Sequence, residues 1–281
     1  MNPDAFLEDE EVQQIAQGHI DQILALEKSE ADRIIRTYRQ IRGELRDRLD
    51  SMPRGSFSAQ QLRGVLYQVE SAIEALSGSL RSEIESSARA AADKGLDDLE
   101  DELARFSKRF TGAVIPINVD AVAVATETTN LLFNRYDASV RSYNESLRAR
   151  FAQGLSAAAV EQVPMSDVIQ RIGQTFLGEE WKIQRIVRSE LHNIYATGKM
   201  NGMLRLWDGG EGDIPDLKKA LFHPMDNRTG QDSKKAAALE LVVPIDEPFV
   251  YKWRGETRKF MAPPDRPNDR SILIPYRESW R

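Results

Sequence analysis

The feature that most restricts the fold is an apolar seam between residues 62 and 110. Its side chains recur at steps of four and three residues, which places them along one side of a helix. At about 1.5 Å per residue, such a helix would be roughly 75 Å long. The seam therefore predicts an elongated helical hairpin, in which Gly78 and Gly95 could divide the helix into two collinear parts. Its members are Leu62, Leu66, Val69, Ile73, Leu76, Leu80, Ile84, Ala88, Ala91, Leu96, Leu99, Leu103, Phe106 and Phe110.

Helical spacing of apolar residues continues on both sides of this seam. A preceding helix is predicted from about residue 8 to 49, because Pro53 and Gly55 then interrupt the pattern. Pro116 ends the seam region. The helices predicted after it cover about 121–153 with Asp120 as the cap and Gly154 as the end, 156–164, 166–176 with Ser166 as the cap, and 178–206.

The C-terminal region has a different composition, with most of the 12 prolines and three of the four tryptophans after residue 206. Short strands are predicted at Leu239–Val243, Phe249–Trp253, Thr257–Met261 and Ile272–Pro275. The turn Arg254-Gly255-Glu256 predicts a hairpin, and the prolines indicate edge strands of a small irregular sheet.

The predicted fold is mainly α: a long helical hairpin or bundle followed by a small α+β domain with short antiparallel strands. The change in composition divides the chain into a helical arm (1–115), a helical region (116–206) and a tail domain (207–281).

Composition excludes several classes of site. Without cysteine there are no disulfides, thiolate zinc sites, iron–sulfur clusters or cysteine nucleophiles. A metal centre with several histidines would need all three, His19, His192 and His223, to converge. The net charge of −6 argues against a protein that coats nucleic acid generally. With neither a secretory signal nor an apolar run of membrane length, we expect a soluble, intracellular chain with no membrane partner.

Common catalytic motifs are also absent: no phosphate-binding loop, dinucleotide fingerprint, nucleophile elbow or zinc-protease helix occurs. Glu190 and His192 lie two positions apart, which does not bring them together on a helix. The acidic pairs Glu10/Glu11, Asp97/Asp98 and Glu179/Glu180 are interpreted as solvated helix faces. We therefore predict no enzyme, no cofactor and no metal.

Residues 223–232 form the densest polar cluster. Its Asp, Asn and Gly residues favour a stiff loop held by side-chain-to-backbone hydrogen bonds. The alternative is a binding or metal site with His223, Asp226 and Asp232 as ligands. A hydrolytic triad would need a serine, His223 or His192, and a distant acid to converge.

The last 31 residues (251–281) carry eight basic and four acidic residues, interleaved with aromatic ones. Basic residues beside aromatics can bind phosphate and stack on bases. Candidate DNA contacts are Lys252, Arg254, Arg258 and Lys259. The alternatives are an ordinary solvated surface and a surface that pairs with an acidic partner protein.

Several short segments follow one another in a particular order between residues 176 and 276. They are Arg188-Ser189-Glu190 with Tyr195 and Gly198 on a helix, Asp226-Asn227-Arg228-Thr229, Phe249-Val250-Tyr251, Pro263-Pro264, Asn268-Asp269-Arg270-Ser271 and Ile272-Leu273-Ile274-Pro275. This order resembles the phage Mu F-like head-morphogenesis family of minor capsid proteins. The resemblance assigns family-motif positions to Arg188, Glu190, Asp226, Arg228, Thr229, Pro263, Pro264, Asn268 and Arg270.

The resemblance implies a low-copy virion component inside the head, present in the host cytoplasm during assembly. Such proteins associate with the portal and can accompany DNA during ejection. The helical arm would dock against portal helices or a second copy, and the basic tail would face packaged DNA. The alternatives are a nuclease or toxin-like enzyme centred on the C-terminal domain, and a transient helical scaffold or adaptor.

One departure from the family pattern affects chemistry. The family's terminal motif reads Asn-Cys-Arg-Cys, and here Asp269 and Ser271 replace the cysteines. Any metal site that depends on these cysteines is therefore expected to be lost. Asp269 would instead tether the tail to the 226–229 loop by hydrogen bonds, with Arg270 as a partner for Asp226.

Overall fold

The computed structural model describes residues 3–52, 57, 59–115, 120–224, 231, 239, 241–253, 255–264 and 269–280. Long helices occupy most of this chain and short antiparallel strands follow them, which confirms the predicted fold class. The helices are α1 (Pro3–Leu7), α2 (Glu10–Asp50), α3 (Ala59–Thr111), α4 (Ala121–Glu161) and α5 (Met165–Trp207). The strands are β1 (Leu217–Phe222), β2 (Val242–Pro244), β3 (Phe249–Trp253), β4 (Glu256–Phe260) and β5 (Ile272–Arg277).

Interior glycines do not end the long helices, whereas Gly112, in the left-handed conformation with φ of 73°, directly follows the end of α3. α3 runs through Gly78 and Gly95, so it is one helix. The predicted ends at Gly154 and near residue 177 are wrong, because α4 continues through Gly154 and α5 continues through Gly178. An interior glycine costs a helix only about 1 kcal/mol, which buried side chains such as Phe151 and Leu155 offset.

The helix starts depend on local side chains and on proline. The Asp120 carboxylate accepts a hydrogen bond from the Ala123 backbone amide at 3.0 Å, which confirms the predicted cap of α4. Pro164 separates α4 from α5 as predicted. Ser166, however, lies within the first turn of α5 and not before it, because the helix already begins at Met165.

The chain forms two compact units, each assembled from separate segments. Unit 1 comprises residues 1–28, 87–132 and 188–281. It contains a three-stranded antiparallel sheet in the order β2-β1-β5 and the hairpin β3–β4. The predicted hairpin is confirmed, and Gly255 in its turn adopts the left-handed conformation with φ of 84°.

Strand β1 is the centre of the sheet, and the sequence analysis missed it. Its sequence, Leu-Lys-Lys-Ala-Leu-Phe, contains two adjacent lysines that hide the strand pattern. The neighbouring strands contain Pro244 and Pro275 and both lie at sheet edges, which confirms the predicted position of the proline-containing strands.

An aromatic cluster holds both ends of the described chain within unit 1. Phe6 of α1 packs against Phe106 and Phe110 of α3, with ring centroids 5.4 and 5.6 Å apart. It also contacts Tyr276 at 5.1 Å and Trp280 at 5.9 Å. Burial of these large rings contributes substantially to the core.

Unit 2 comprises residues 29–86 and 133–187, and is built only from segments of α2, α3, α4 and α5. Buried Tyr38 donates a hydrogen bond to the Phe176 backbone carbonyl at 3.1 Å and packs against the Phe176 ring. None of the helices in the described ranges is long and apolar enough to cross a membrane.

Candidate functional site: buried polar networks in unit 1

His192 on α5 is the centre of the first network. Its Nδ1 lies 2.7 Å from Glu27 Oε1 on α2, and its Nε2 lies 2.7 Å from the Ser271 carbonyl oxygen before β5. Both partners are acceptors, whereas a neutral imidazole has only one N–H to donate. A doubly protonated ring satisfies both contacts. His192 and Glu27 thus form a buried, charge-assisted link between α2, α5 and the β5 segment.

The surroundings of His192 act on its pKa in opposite directions. Burial lowers the pKa, whereas the hydrogen bond and charge of Glu27, the Ser271 carbonyl and the charge of Asp269 raise it. The raising effects prevail, so the pKa of His192 lies above its ordinary value of 6.5. The imidazolium is therefore the form that this site stabilises.

Ser271 extends the network to Asp269 and His223. Its hydroxyl donates to Asp269 Oδ1 at 2.5 Å and lies 2.5 Å from His223 Nδ1. Because the hydroxyl proton goes to the carboxylate, Nδ1 of His223 is the donor in the second contact. The Ser271 backbone amide also donates to Asp269 Oδ1 at 3.2 Å. The described hydrogen bonds of Asp269 are local ones to Ser271, and its expected tether to the 226–229 loop stays a prediction because that loop lies outside the described residues.

This arrangement differs from a hydrolytic triad. In a triad the histidine lies between serine and acid and accepts the serine proton. Here the Ser271 hydroxyl lies between His223 and Asp269 and donates to the acid, so His223 does not activate it. Ser271 is also fully buried. Within the described residues, no group of three His, Cys, Asp or Glu side chains could hold a metal ion.

A second network connects α2, α3 and α5. Glu102 Oε1 accepts from Lys199 Nζ at 2.5 Å and lies 2.8 Å from His19 Nδ1. The Tyr195 hydroxyl donates to Asp98 Oδ2 at 2.8 Å. Burial, and then the charges of Asp98 and Glu102, raise the pKa of Tyr195 well above its ordinary value of 10. Tyr195 therefore stays protonated and serves as a hydrogen-bond donor.

Buried carboxylates in each unit correct the interpretation of two acidic pairs. Asp98 was expected on a solvated face, but it is 2% exposed because Tyr195 and Lys94 neutralise and bind its carboxylate. Glu180 in unit 2 is mostly buried and binds Arg39 and Arg42. Carboxylates can be buried when nearby cations and hydrogen-bond donors, from the same or another helix, pair with them.

The structure places the remaining motif positions as follows. Arg188 is exposed, and Glu190 and Arg270 are half-buried; Pro263 is buried and Pro264 half-buried. The sequence analysis did not identify Glu27 or Lys199, the buried partners of His192 and Glu102. The predicted site residues that lie outside the described part of the chain are Asp226, Arg228, Thr229, Asp232, Arg254 and Asn268.

The β3–β4 hairpin divides the candidate DNA-binding residues between two faces. Val250 pairs with Lys259 and Lys252 pairs with Thr257, so both lysines belong to one face. Both are exposed. Arg258 pairs with Tyr251 on the opposite face, and its guanidinium lies 3.5 Å from Glu256. The described part of the hairpin thus presents Lys252 and Lys259 together.

Lys219 of β1 is another buried cation that the sequence analysis did not identify. Its ammonium donates to the Met261 carbonyl at 2.9 Å and lies 5.2 Å from the centre of the Phe249 ring. Burial lowers its pKa from 10.5 to about 8, against a smaller raising effect of Asp246. Lys219 thereby connects the sheet to the hairpin.

Comparison with known proteins adds no assignment: no protein family model matches the chain, and no curated protein or solved structure is significantly similar to it.

The Ser271 hydroxyl is expected to stabilise unit 1 measurably. Ser271→Ala leaves Asp269 and His223 without this buried partner, which should cost about 1–3 kcal/mol of unfolding free energy. Urea unfolding measures the loss, with exposed Ser279→Ala as a control expected to stay within about 0.5 kcal/mol of wild type. Equal stabilities of the two variants would show that the Ser271 hydroxyl contributes nothing.

Because the pKa of Lys219 is lowered, we expect it to make the free energy of unfolding depend on pH in the alkaline range. Between about pH 8 and 10.5 the unfolded lysine stays protonated while the folded one loses its proton, so the contribution of Lys219 to stability should rise with pH. Lys219→Met removes this rise, and Lys218→Met, a half-exposed neighbour, should retain it. Denaturation curves from pH 7 to 10.5 test this, and curves for wild type and Lys219→Met that run parallel would contradict it.

Proposed function

We propose that this chain is a minor head protein of a bacteriophage, with a structural and assembly role at the portal and a contact with packaged DNA. The first support is the order in which short sequence motifs follow one another between residues 176 and 276, which resembles the Mu F-like family. The observation that supports it most is that Asp269 and Ser271, at the two substituted cysteine positions, bond to each other, and that Ser271 also bonds to His223 in a buried network. Hydrogen bonds there take the structural place of cysteines.

The character of this network favours a structural role over catalysis. Its members are 0 to 7% exposed, so substrate has no direct access to Ser271, His223, Asp269 or His192. The contacts of His192 with Glu27 and Ser271, and of Ser271 with His223, join separate segments of unit 1. A network of this kind specifies one arrangement of the segments that it joins.

Contact with DNA is proposed at the hairpin face of Lys252 and Lys259. Two exposed ammonium groups on one face can bind neighbouring phosphates, and salt weakens such binding. The acidic chain as a whole would limit indiscriminate association with DNA.

The role is tested on particles of the phage whose genome encodes the chain. Mass spectrometry of purified mature particles should detect it at low copy, and the purified portal protein should retain it where the major capsid protein does not. Presence only in procapsids would instead identify a transient scaffold. Absence from both particle types and no retention by the portal would refute the proposal.

The enzymatic alternative needs its own assay. The chain is incubated with DNA and Mg²⁺ or Mn²⁺, beside a His223→Ala variant. No cleavage above background is expected for either protein. Cleavage by the wild type that His223→Ala abolishes would replace the structural assignment by a nuclease.

A further inference from the structure

A groove in unit 2 lies between the C-terminal part of α2 and the first turns of α5. Its volume is about 940 Å³, and its walls extend from Arg39 to Met52 and from Pro164 to Leu177. At about 1.5 Å per residue, each wall is roughly 20 Å long. This length accommodates three to four turns of a further helix, the usual neighbour of two packed helices in a bundle.

Apolar side chains continue from the groove onto the surface of α5. Leu177, in the groove wall, is 56% exposed, and Trp181, one turn further along α5, is 53% exposed. Residues four apart lie on the same side of a helix. An exposed leucine beside an exposed tryptophan forms an apolar anchor of the kind that interfaces use.

The charged residues around this groove are mainly cations. Those that line it are Arg39, Arg42, Arg46 and Asp50. The Arg39 and Arg46 side chains are 55% and 74% exposed. Glu180, with only 14% of its side chain exposed, binds Arg39 at 2.6 Å and Arg42 at 3.1 Å, and so holds both guanidinium groups at the rim.

Cations also surround the exposed tryptophan. The guanidinium carbon of Arg185 lies 5.1 Å from the centre of the Trp181 ring, and Lys182 Nζ lies 5.7 Å from it. The apolar anchor is therefore bordered by positive charge at its Trp181 end. A complementary partner carries apolar residues on one face and carboxylates beside them.

We propose that this groove binds an amphipathic helix of a partner protein, with apolar side chains between α2 and α5 and acidic residues against the arginine rim. This is the helix-in-groove mode of recognition, with anchors at i, i+3, i+4 and i+7. A second copy of this chain fits less well, because a symmetric contact would bring the two arginine rims together. The inference does not depend on the proposed function.

The groove can be closed selectively at Gly173. A Cβ atom added at Gly173 would have no neighbouring atom within 4 Å, and Gly173 lines the groove. Gly173→Phe should therefore fill the groove without displacing the backbone. Gly78→Phe in α3 is the matched control, since Gly78 is equally open and does not line the groove.

The test selects binders from a library of helical peptides displayed on a fixed scaffold, with wild type as target and Gly173→Phe as counter-target. We expect enriched sequences with apolar residues at helical spacing and a net acidic charge. The best of them should bind Gly173→Phe and Arg46→Glu at least tenfold more weakly than wild type, and Gly78→Phe as strongly. Thermal unfolding of all variants verifies that they fold.

Three results would overturn the proposal. The first is that the selection yields no sequence that distinguishes wild type from Gly173→Phe. The second is that the enriched sequences carry no excess of acidic residues. The third is that light scattering shows a wild-type dimer, which Gly173→Phe converts to a monomer. The last would make a second copy the occupant of the groove.

Discussion

Gly95→Ala is expected to lower the free energy of unfolding of unit 1 by about 3 kcal/mol or more, at the upper end for overpacking. A Cβ at Gly95 of α3 would lie 2.3 Å from the Tyr195 backbone carbonyl oxygen and 3.1 Å from the Lys199 amide nitrogen of α5. Both neighbours are backbone atoms, so α3 and α5 must move apart. This movement also stretches the contacts of Tyr195 and Lys199 with Asp98 and Glu102.

Gly18→Ala is the control for this prediction. Gly18 lies inside α2 in the same unit, and a Cβ there meets nothing within 4 Å. Alanine should therefore stabilise by about 0.5–1 kcal/mol through its better helix propensity. Urea unfolding followed by circular dichroism measures both variants. If Gly95→Ala were as stable as Gly18→Ala, the close approach of α3 and α5 would be refuted.

Glu27→Ala is expected to cost about 3–5 kcal/mol at pH 5.5, because it leaves the buried His192 imidazolium without its counter-charge. The cost should be smaller at pH values above the raised pKa of His192. There the variant can hold a neutral ring, whose Nε2 still donates to the Ser271 carbonyl.

The pH dependence of the wild type follows from the raised pKa of His192. The unfolded histidine titrates near pH 6.5 and the folded one above it. The stability that the raised pKa provides is thus fully present below about pH 6.5 and is lost as the pH rises through the folded value. The difference in unfolding free energy between wild type and Glu27→Ala should decline across this range.

Unfolding in urea at intervals from pH 5.5 to 9 measures that difference, in which the contribution of Lys219 cancels. Glu11→Ala, which removes a carboxylate at the surface of the same unit, should follow the wild type at every pH. A difference between wild type and Glu27→Ala that is constant with pH would contradict a charged His192–Glu27 pair.

Apolar spacing and local capping were sufficient to predict most of the helical structure. The α2 and α3 stripes locate their helices to within a few residues, and Asp120 caps α4 as predicted. The hairpin of β3 and β4 was also predicted, because its turn contains glycine between alternating residues. These features depend on residues close together in sequence.

The buried networks were harder to predict, although the stripes contain a signal for them. Apolar residues at helical spacing along α2 include Ile23 and Ala31, and Glu27 occupies the position midway between them on the same face. A charged residue within an apolar stripe indicates a buried partner, but not which one. His192 lies 165 residues away in sequence, and only the packing of α2 against α5 brings it to Glu27.

The sequence alone therefore determined where helices occur, that proline-containing strands lie at sheet edges, and that cysteine chemistry is excluded. Tertiary structure decided that β1 is a central strand, that helices continue through Gly154 and Gly178, and that Asp98 and Glu102 are buried. The physical reason is that a local preference is worth about 1 kcal/mol or less per residue. Burial of apolar surface and pairing of buried charges involve larger energies, and both depend on partners distant in sequence.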